Sequence, residues 1–220
     1  MKALVRRLGT PTLAAFAAIG LTAAAAAATT VHRDTLAGPN YDGPYQITNL
    51  GNMTFAGGGF SASCTGADLR GTLTHTGSGT LDSASVTGCT SSMGAVTVTF
   101  LNLPYTQGTL THNPIAGGRD GTLTFTDPKL SIRASFSLGS CTYGFGGSIN
   151  SLTFSVFNRD NGARPNPADE FQGQMINASL TKTGGPFFCP TGVQANGVGK
   201  ARGKVNPGDA AYNQKLYLGP

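Results

Sequence analysis

The sequence predicts an all-β protein, an antiparallel β-sandwich with a barrel as the alternative closure, stapled by two disulfides. Three observations predict it. Residues 129–138 read K-L-S-I-R-A-S-F-S-L, so Leu130, Ile132, Ala134, Phe136 and Leu138 share one face and Lys129, Ser131, Arg133, Ser135 and Ser137 the other. That is the period-two pattern of a half-buried strand. The chain carries 32 glycines and only 11% charged residues, a profile of short strands and many turns and not of helices, which draw on Glu, Lys and Leu. Turn signals recur about every ten residues, and no helical period lasts two turns.

The chain opens Met1-Lys2-Ala3-Leu4-Val5-Arg6-Arg7 and continues into an apolar, alanine-rich run over residues 13–28. A basic head, an apolar middle and a small-residue end are the parts of a secretory signal, with cleavage expected near Ala26-Ala27-Ala28. Gly9, Thr10, Pro11 and Thr12 interrupt the run and leave it short for a membrane span. No cysteine near the cleavage point offers a lipid anchor, and Arg6-Arg7 leaves both general and twin-arginine export open. Residues 1–28 are therefore read as a signal peptide, 29–43 as a flexible N-terminal segment, 44–210 as one all-β domain and 211–220 as a C-terminal tail. The expected product is secreted or associated with the cell envelope and has no transmembrane segment. Loss of Lys2, Arg6 and Arg7 with the signal leaves acidic and basic residues nearly balanced, which argues against a nucleic-acid partner.

An exported chain with an even number of cysteines implies disulfides. Cys64 with Cys89 and Cys141 with Cys189 is the expected pairing, because neighbours in sequence staple each half of the domain with the least demand on topology. Zinc is disfavoured, since no two of these cysteines have the short spacing of a structural zinc site.

In chain order, residues 29–43 are polar and turn-rich, and 45–60 hold one or two strands broken at Asn49-Leu50-Gly51-Asn52 and Gly57-Gly58-Gly59. Residues 71–86 read as a hairpin tied back by the first disulfide. Residues 95–103 place Val96, Val98 and Phe100 inward and Thr97 and Thr99 outward, and pairing is expected to stop at Pro104, which has no N–H to donate. The string Gly-Thr-Leu-Thr-His occurs at 71–75 and again at 108–112, and Gly-Thr-Leu-Thr at 121–124; these are read as repeated use of a good strand start and not as a duplicated unit. Further strands are expected over 148–157, with Leu152, Phe154 and Val156 on one face, and over 171–181, with Ile176, Ala178 and Leu180 on one face. A long polar loop, 158–170, separates them, and residues 193–205 form a closing strand.

The segments Gly88-Cys89-Thr90, Val96-Thr97-Val98, Leu103-Pro104-Tyr105, Gly139-Ser140-Cys141 and Cys189-Pro190 resemble a loose group of small exported β-rich proteins common in actinomycetes, whose alanine-rich signals are similar too. The resemblance spans residues 64–205 and implies compartment and fold; it brings no activity or catalytic residue with it.

Candidate chemistry is sparse. His75 and His112 occupy the same place in the two identical strings, but two imidazoles need further ligands to hold a metal, and His32 lies in the lead-in; surface positions at strand ends account for them, and no metal or cofactor is expected. Asp160, Asp169 and Glu170 concentrate oxygen donors suited to calcium, without the spacing of a calcium loop and with Arg159 and Arg164 beside them. Asp169 and Glu170 are adjacent and cannot face each other as a glycosidase pair must. Neither a Gly-x-Ser-x-Gly elbow nor an H-E-x-x-H string occurs. Lys200, Arg202 and Lys204 alternate with Ala201 and Gly203, which on a strand makes a basic ridge for an anionic ligand, or else an edge strand protected from aggregation by charge. The chain has no tryptophan, which weakens a carbohydrate-binding surface. The expectation is a non-catalytic structural or binding protein whose partner is an anionic wall polymer or another envelope protein. An extracellular hydrolase with an unrecognised site and an envelope pore are the alternatives.

Overall fold

A computed structural model describes residues 28–220; the expected signal peptide lies, apart from Ala28, outside the described residues. The described chain is all β. In order the strands are β1 (Thr30–Arg33), β2 (Gly43–Asn49), β3 (Met53–Gly57), β4 (Phe60–Leu73), β5 (Ser78–Leu81), β6 (Ser83–Ser91), β7 (Gly94–Ala95) and β8 (Thr97–Leu101). They continue as β9 (Tyr105–His112), β10 (Gly121–Phe125), β11 (Ser131–Phe136), β12 (Gly139–Gly144), β13 (Leu152–Phe157), β14 (Phe171–Gly184), β15 (Gly192–Gly203) and β16 (Gln214–Gly219). All pair antiparallel in one 16-stranded hydrogen-bonded network.

The network closes on itself twice. One circuit runs β15-β2-β4-β5-β9-β10-β13-β14 and returns through the β14–β15 ladder. The other runs β4-β6-β8-β11-β12-β14-β15-β3 and returns to β4. The long strands β4, β14 and β15 belong to both, giving one half to each circuit. Closure satisfies the backbone groups that an open sheet edge would leave unpaired. Inward side chains fill the interior as three adjoining apolar clusters: one around Tyr41, Leu110 and Leu216, one around Tyr105, Phe125 and Leu180, and one around Met53, Cys64 and Val86.

Both disulfides form with the expected partners, Cys64–Cys89 and Cys141–Cys189. The first joins residues directly opposite on the β4–β6 ladder; the second ties β12 to the loop after β14. The strand expected over residues 129–138 is β11, whose Ile132, Ala134 and Phe136 are partly buried between β8 and β12. Its alternation stops one residue pair early: Leu138 lies in the β11–β12 turn and is 72% exposed. Val96 is buried, Val98 and Phe100 partly so, and pairing ends at Leu101 before Pro104, as the alternation and the proline require.

Several expectations need correction. Residues 29–43 are not a loose lead-in: β1 pairs with β16, and Val31 and Tyr41 are fully buried. Residues 211–220 are not a tail either, for β16 puts Leu216 and Leu218 into the core. The domain therefore takes in both of these flanks, and the last strand is β16, not β15. On β14 a bulge between Met175 and Ala178 gives the inward place to Met175 and turns Ile176 out to solvent, 64% exposed, as an inserted residue shifts the pleat. The Asn177 N–H at the bulge donates to Asn196 Oδ1 at 2.8 Å.

Four turns converge at one end of the second circuit: β3–β4, β6–β7, β11–β12 and β14–β15. Gly58 lies against Pro190, Gly139 against Phe188 and Pro186. The Ser92 N–H donates to the Ser61 carbonyl at 2.9 Å, and the Phe60 and Phe136 rings meet edge to face with centroids 5.4 Å apart.

Candidate functional site

Where the two circuits share their interior the side chains do not fill it. A cavity of about 110 Å³ lies among residues of the second circuit and reaches Leu81, Leu123, Phe125, Leu152 and Phe154 of the first, and a smaller one of about 40 Å³ lies in the first. Tyr45, Ile47, Leu123 and Phe125 line both and form the waist between them. The larger chamber is walled by phenylalanine, leucine, isoleucine, valine and methionine, and small side chains stand at inward positions where large ones would close it: Ala62, Ala134, Ala178 and Ala195.

Among the described residues no charged side chain lines either chamber. Two tyrosines, Tyr45 and Tyr143, are among the residues that line the larger chamber. The Tyr45 hydroxyl donates to the Thr80 carbonyl at 2.7 Å, and burial pushes its pKa far above the ordinary tyrosine range; burial likewise raises Tyr143. Both stay neutral at any physiological pH. Water needs several polar partners to occupy a cavity, and an apolar void of about 150 Å³ stays dry and admits benzene. The chamber is therefore suited to a small apolar guest.

The residues singled out from the sequence lie elsewhere and do not converge. Lys200, Arg202 and Lys204 do share the outward face, with Ala201 and Gly203 buried beneath. Their strand, β15, is not an edge, for it pairs with β14, β2, β3 and β16. Nor are the three equivalent. Arg202 forms a two-pronged ion pair with Glu170, Nε to Oε2 at 2.9 Å. Lys204 stands over the Tyr212 ring, 5.1 Å from its centroid. Lys200 makes no ion pair or side-chain hydrogen bond among the described residues.

His75 Nδ1 meets the Asp42 carboxylate at 3.0 Å, and the His75 N–H, first, and this ring contact, second, hold Asp42 below the usual carboxylate range. That is the base-and-orienter half of a hydrolytic triad, yet no serine, threonine or cysteine hydrogen-bonds the ring among the described residues. His112 lies in β9, across β5 from the His75 string, and its Nδ1 is buried without a partner. No group of three or more His, Cys, Asp or Glu side chains among the described residues is placed to hold a metal ion. The loop carboxylates are each engaged separately: Asp160 accepts from Tyr217 at 3.2 Å, Asp169 pairs with Arg159 at 2.9 Å and Lys215 at 2.5 Å, and Glu170 holds Arg202. The loop itself is ordered by the fully buried Gln172, whose Nε2 donates to the Asn166 and Ala168 carbonyls at 2.7 and 3.0 Å.

The chamber was the feature least visible in the sequence. Its signal is the set of alanines in phase with large apolar residues, such as Ala134 between Ile132 and Phe136, and it acquires meaning only when the strands that face one another are known. Comparison with known proteins finds no family model, no curated protein and no solved structure that matches this chain.

Proposed function

We propose that the protein is an exported, non-catalytic binding protein of the cell surface or surrounding medium, and that it holds a small apolar guest in the chamber between its two circuits. The observation that carries this reading is an interior void with an uncharged, almost wholly apolar lining. Two disulfides and no free cysteine among the described residues suit an oxidising compartment. No helix of the described residues is long and apolar enough to cross a membrane. The hydrolase alternative has an Asp42–His75 pair whose ring meets no serine, threonine or cysteine among the described residues. The pore alternative requires a polar, water-filled lumen, the opposite of this lining.

An unfilled apolar cavity of this size costs roughly 2–3 kcal/mol at about 24 cal/mol per Å³. A guest that fills it raises the melting temperature by mass action. Benzene and toluene should therefore raise the melting temperature of residues 29–220 in a dose-dependent manner, and Ala134→Leu, which puts an isobutyl group where a methyl now stands, should abolish that response. A melting curve indifferent to both aromatics would remove the reading.

A further inference from the structure

We propose that the end of the molecule formed by the four converging turns seats on an anionic lipid surface. This goes beyond guest binding and stands on a different observation. Two of the turns present apolar side chains to water: Phe187, in the β14–β15 turn, is 97% exposed and Leu138, in the β11–β12 turn, 72%. Apolar groups projecting together from separate turns mark a contact surface and not random exposure.

Charge identifies the partner. Residues 51–67, 83–101, 131–151 and 175–199 supply this half of the molecule, and they contain no aspartate or glutamate at all. Their only ionised groups are Arg133 and Lys182, both cationic. Arg133 lies on the exposed outer face of β11, and Lys182 lies near the tip end of β14, donating to the Pro186 carbonyl at 2.8 Å. Of the carboxylates of the described residues only Asp68 borders this half, opposite Ser85 on the β4–β6 ladder, and Arg70 pairs with it; the rest belong to the other half or to the connecting segments. A protruding apolar tip with cations behind it and no anions matches a bilayer carrying negative headgroups, where apolar side chains enter the interface and basic ones meet phosphate. A rigid protein partner would call for a flat or concave apolar face and a mixed polar rim. Behind the tip, Phe60 lines the larger chamber and packs on Phe136, so the surface that would touch lipid adjoins the apolar interior.

Co-sedimentation of residues 29–220, which hold every strand of the described fold, with vesicles of phosphatidylglycerol and phosphatidylcholine or of phosphatidylcholine alone tests this. Partition onto the anionic vesicles should exceed that onto the neutral ones at least tenfold and fall with salt. Leu138→Ser with Phe187→Ser should lower it at least tenfold at unchanged melting temperature, because neither side chain is buried. Arg133→Gln with Lys182→Gln should erase the preference for the anionic vesicles. Failure of the wild-type chain to sediment with anionic vesicles, equal partition by the serine variant, or a dimer in solution that the serine variant dissociates would each overturn the proposal. The benzene response, read on the same samples, reports on guest binding separately.

Discussion

The hydroxyl end of the Tyr41 ring packs against Gly203: a Cβ at residue 203 would stand 2.3 Å from Cζ and 2.4 Å from the hydroxyl oxygen. The same hydroxyl donates to the Pro44 carbonyl at 2.5 Å and accepts the Lys204 N–H at 2.9 Å. Tyr41 thereby locks residues 29–43 onto the end of β15. Gly203→Ala should destabilise by roughly 1–3 kcal/mol, the cost of overpacking a filled site, whereas Tyr41→Phe, which keeps the ring and loses the hydrogen bonds, should cost about 1 kcal/mol. Urea melts of the two variants measure both.

Asp127 is fully buried in the segment that links β10 to β11, against the start of β9. Burial alone raises its pKa, but the N–H groups of Thr106 at 2.8 Å and Lys129 at 3.0 Å outweigh it and hold the carboxyl below the usual range. A depressed carboxyl stabilises the fold fully above its unfolded value, about 3.9, and the contribution fades as pH falls through the lower folded value. Unfolding free energy should therefore drop below about pH 4. In Asp127→Ala the loss should already be present at pH 7, at roughly 1–3 kcal/mol for two buried donors left unpaired, with a flatter acid limb.

The basic ridge should separate into parts with different roles. Arg202→Ala leaves Glu170, only 8% exposed, with a carboxylate lacking its partner, and should cost about 2–4 kcal/mol, near the lower end of what breaking a buried pair does. Lys200→Ala should change stability by less than about 0.5 kcal/mol. Any anionic wall polymer bound at the ridge is accordingly best tested with Lys200→Ala, in which a lost interaction cannot be mistaken for a loosened fold.

Both disulfides should resist labelling by thiol reagents until the protein is reduced and unfolded. Loop closure over separations of 25 and 48 residues predicts contributions of about 3.5 and 4 kcal/mol. Replacing Cys141 and Cys189 together by serine should lower the denaturation midpoint at least as far as replacing Cys64 and Cys89.

What the sequence revealed and what it withheld divide along physical lines. Alternation over β8, β11 and β13 was legible because each is buried on one face by neighbours on both sides, and the cysteine partners followed from spacing and compartment. The outer strands were not: β1 buries only Val31, and the large apolar side chains that β16 buries are just Leu216 and Leu218, on either side of Tyr217, too few for a period to stand out. Ile176 misled because a bulge moves a side chain to the other face without changing the composition. The ridge was placed on the right face, but its pairing with Glu170 spans 32 residues and no local pattern encodes it. The missing carboxylates were in plain sight as a composition; only the pairing of distant strands gathers those stretches at a single end.

The pairing of β1 with β16 has a consequence for how the molecule can be handled. Thr30 sits opposite Gly219, beside the turn that follows β4 and a full strand length from Phe60. Leader, tag or fused domain, whatever is spliced to either terminus, would emerge from one spot with the aromatic end left facing outward. A short glycine linker could join the two ends, and a circular permutant reopened at Gly117, in an exposed loop, should regain the native strand order.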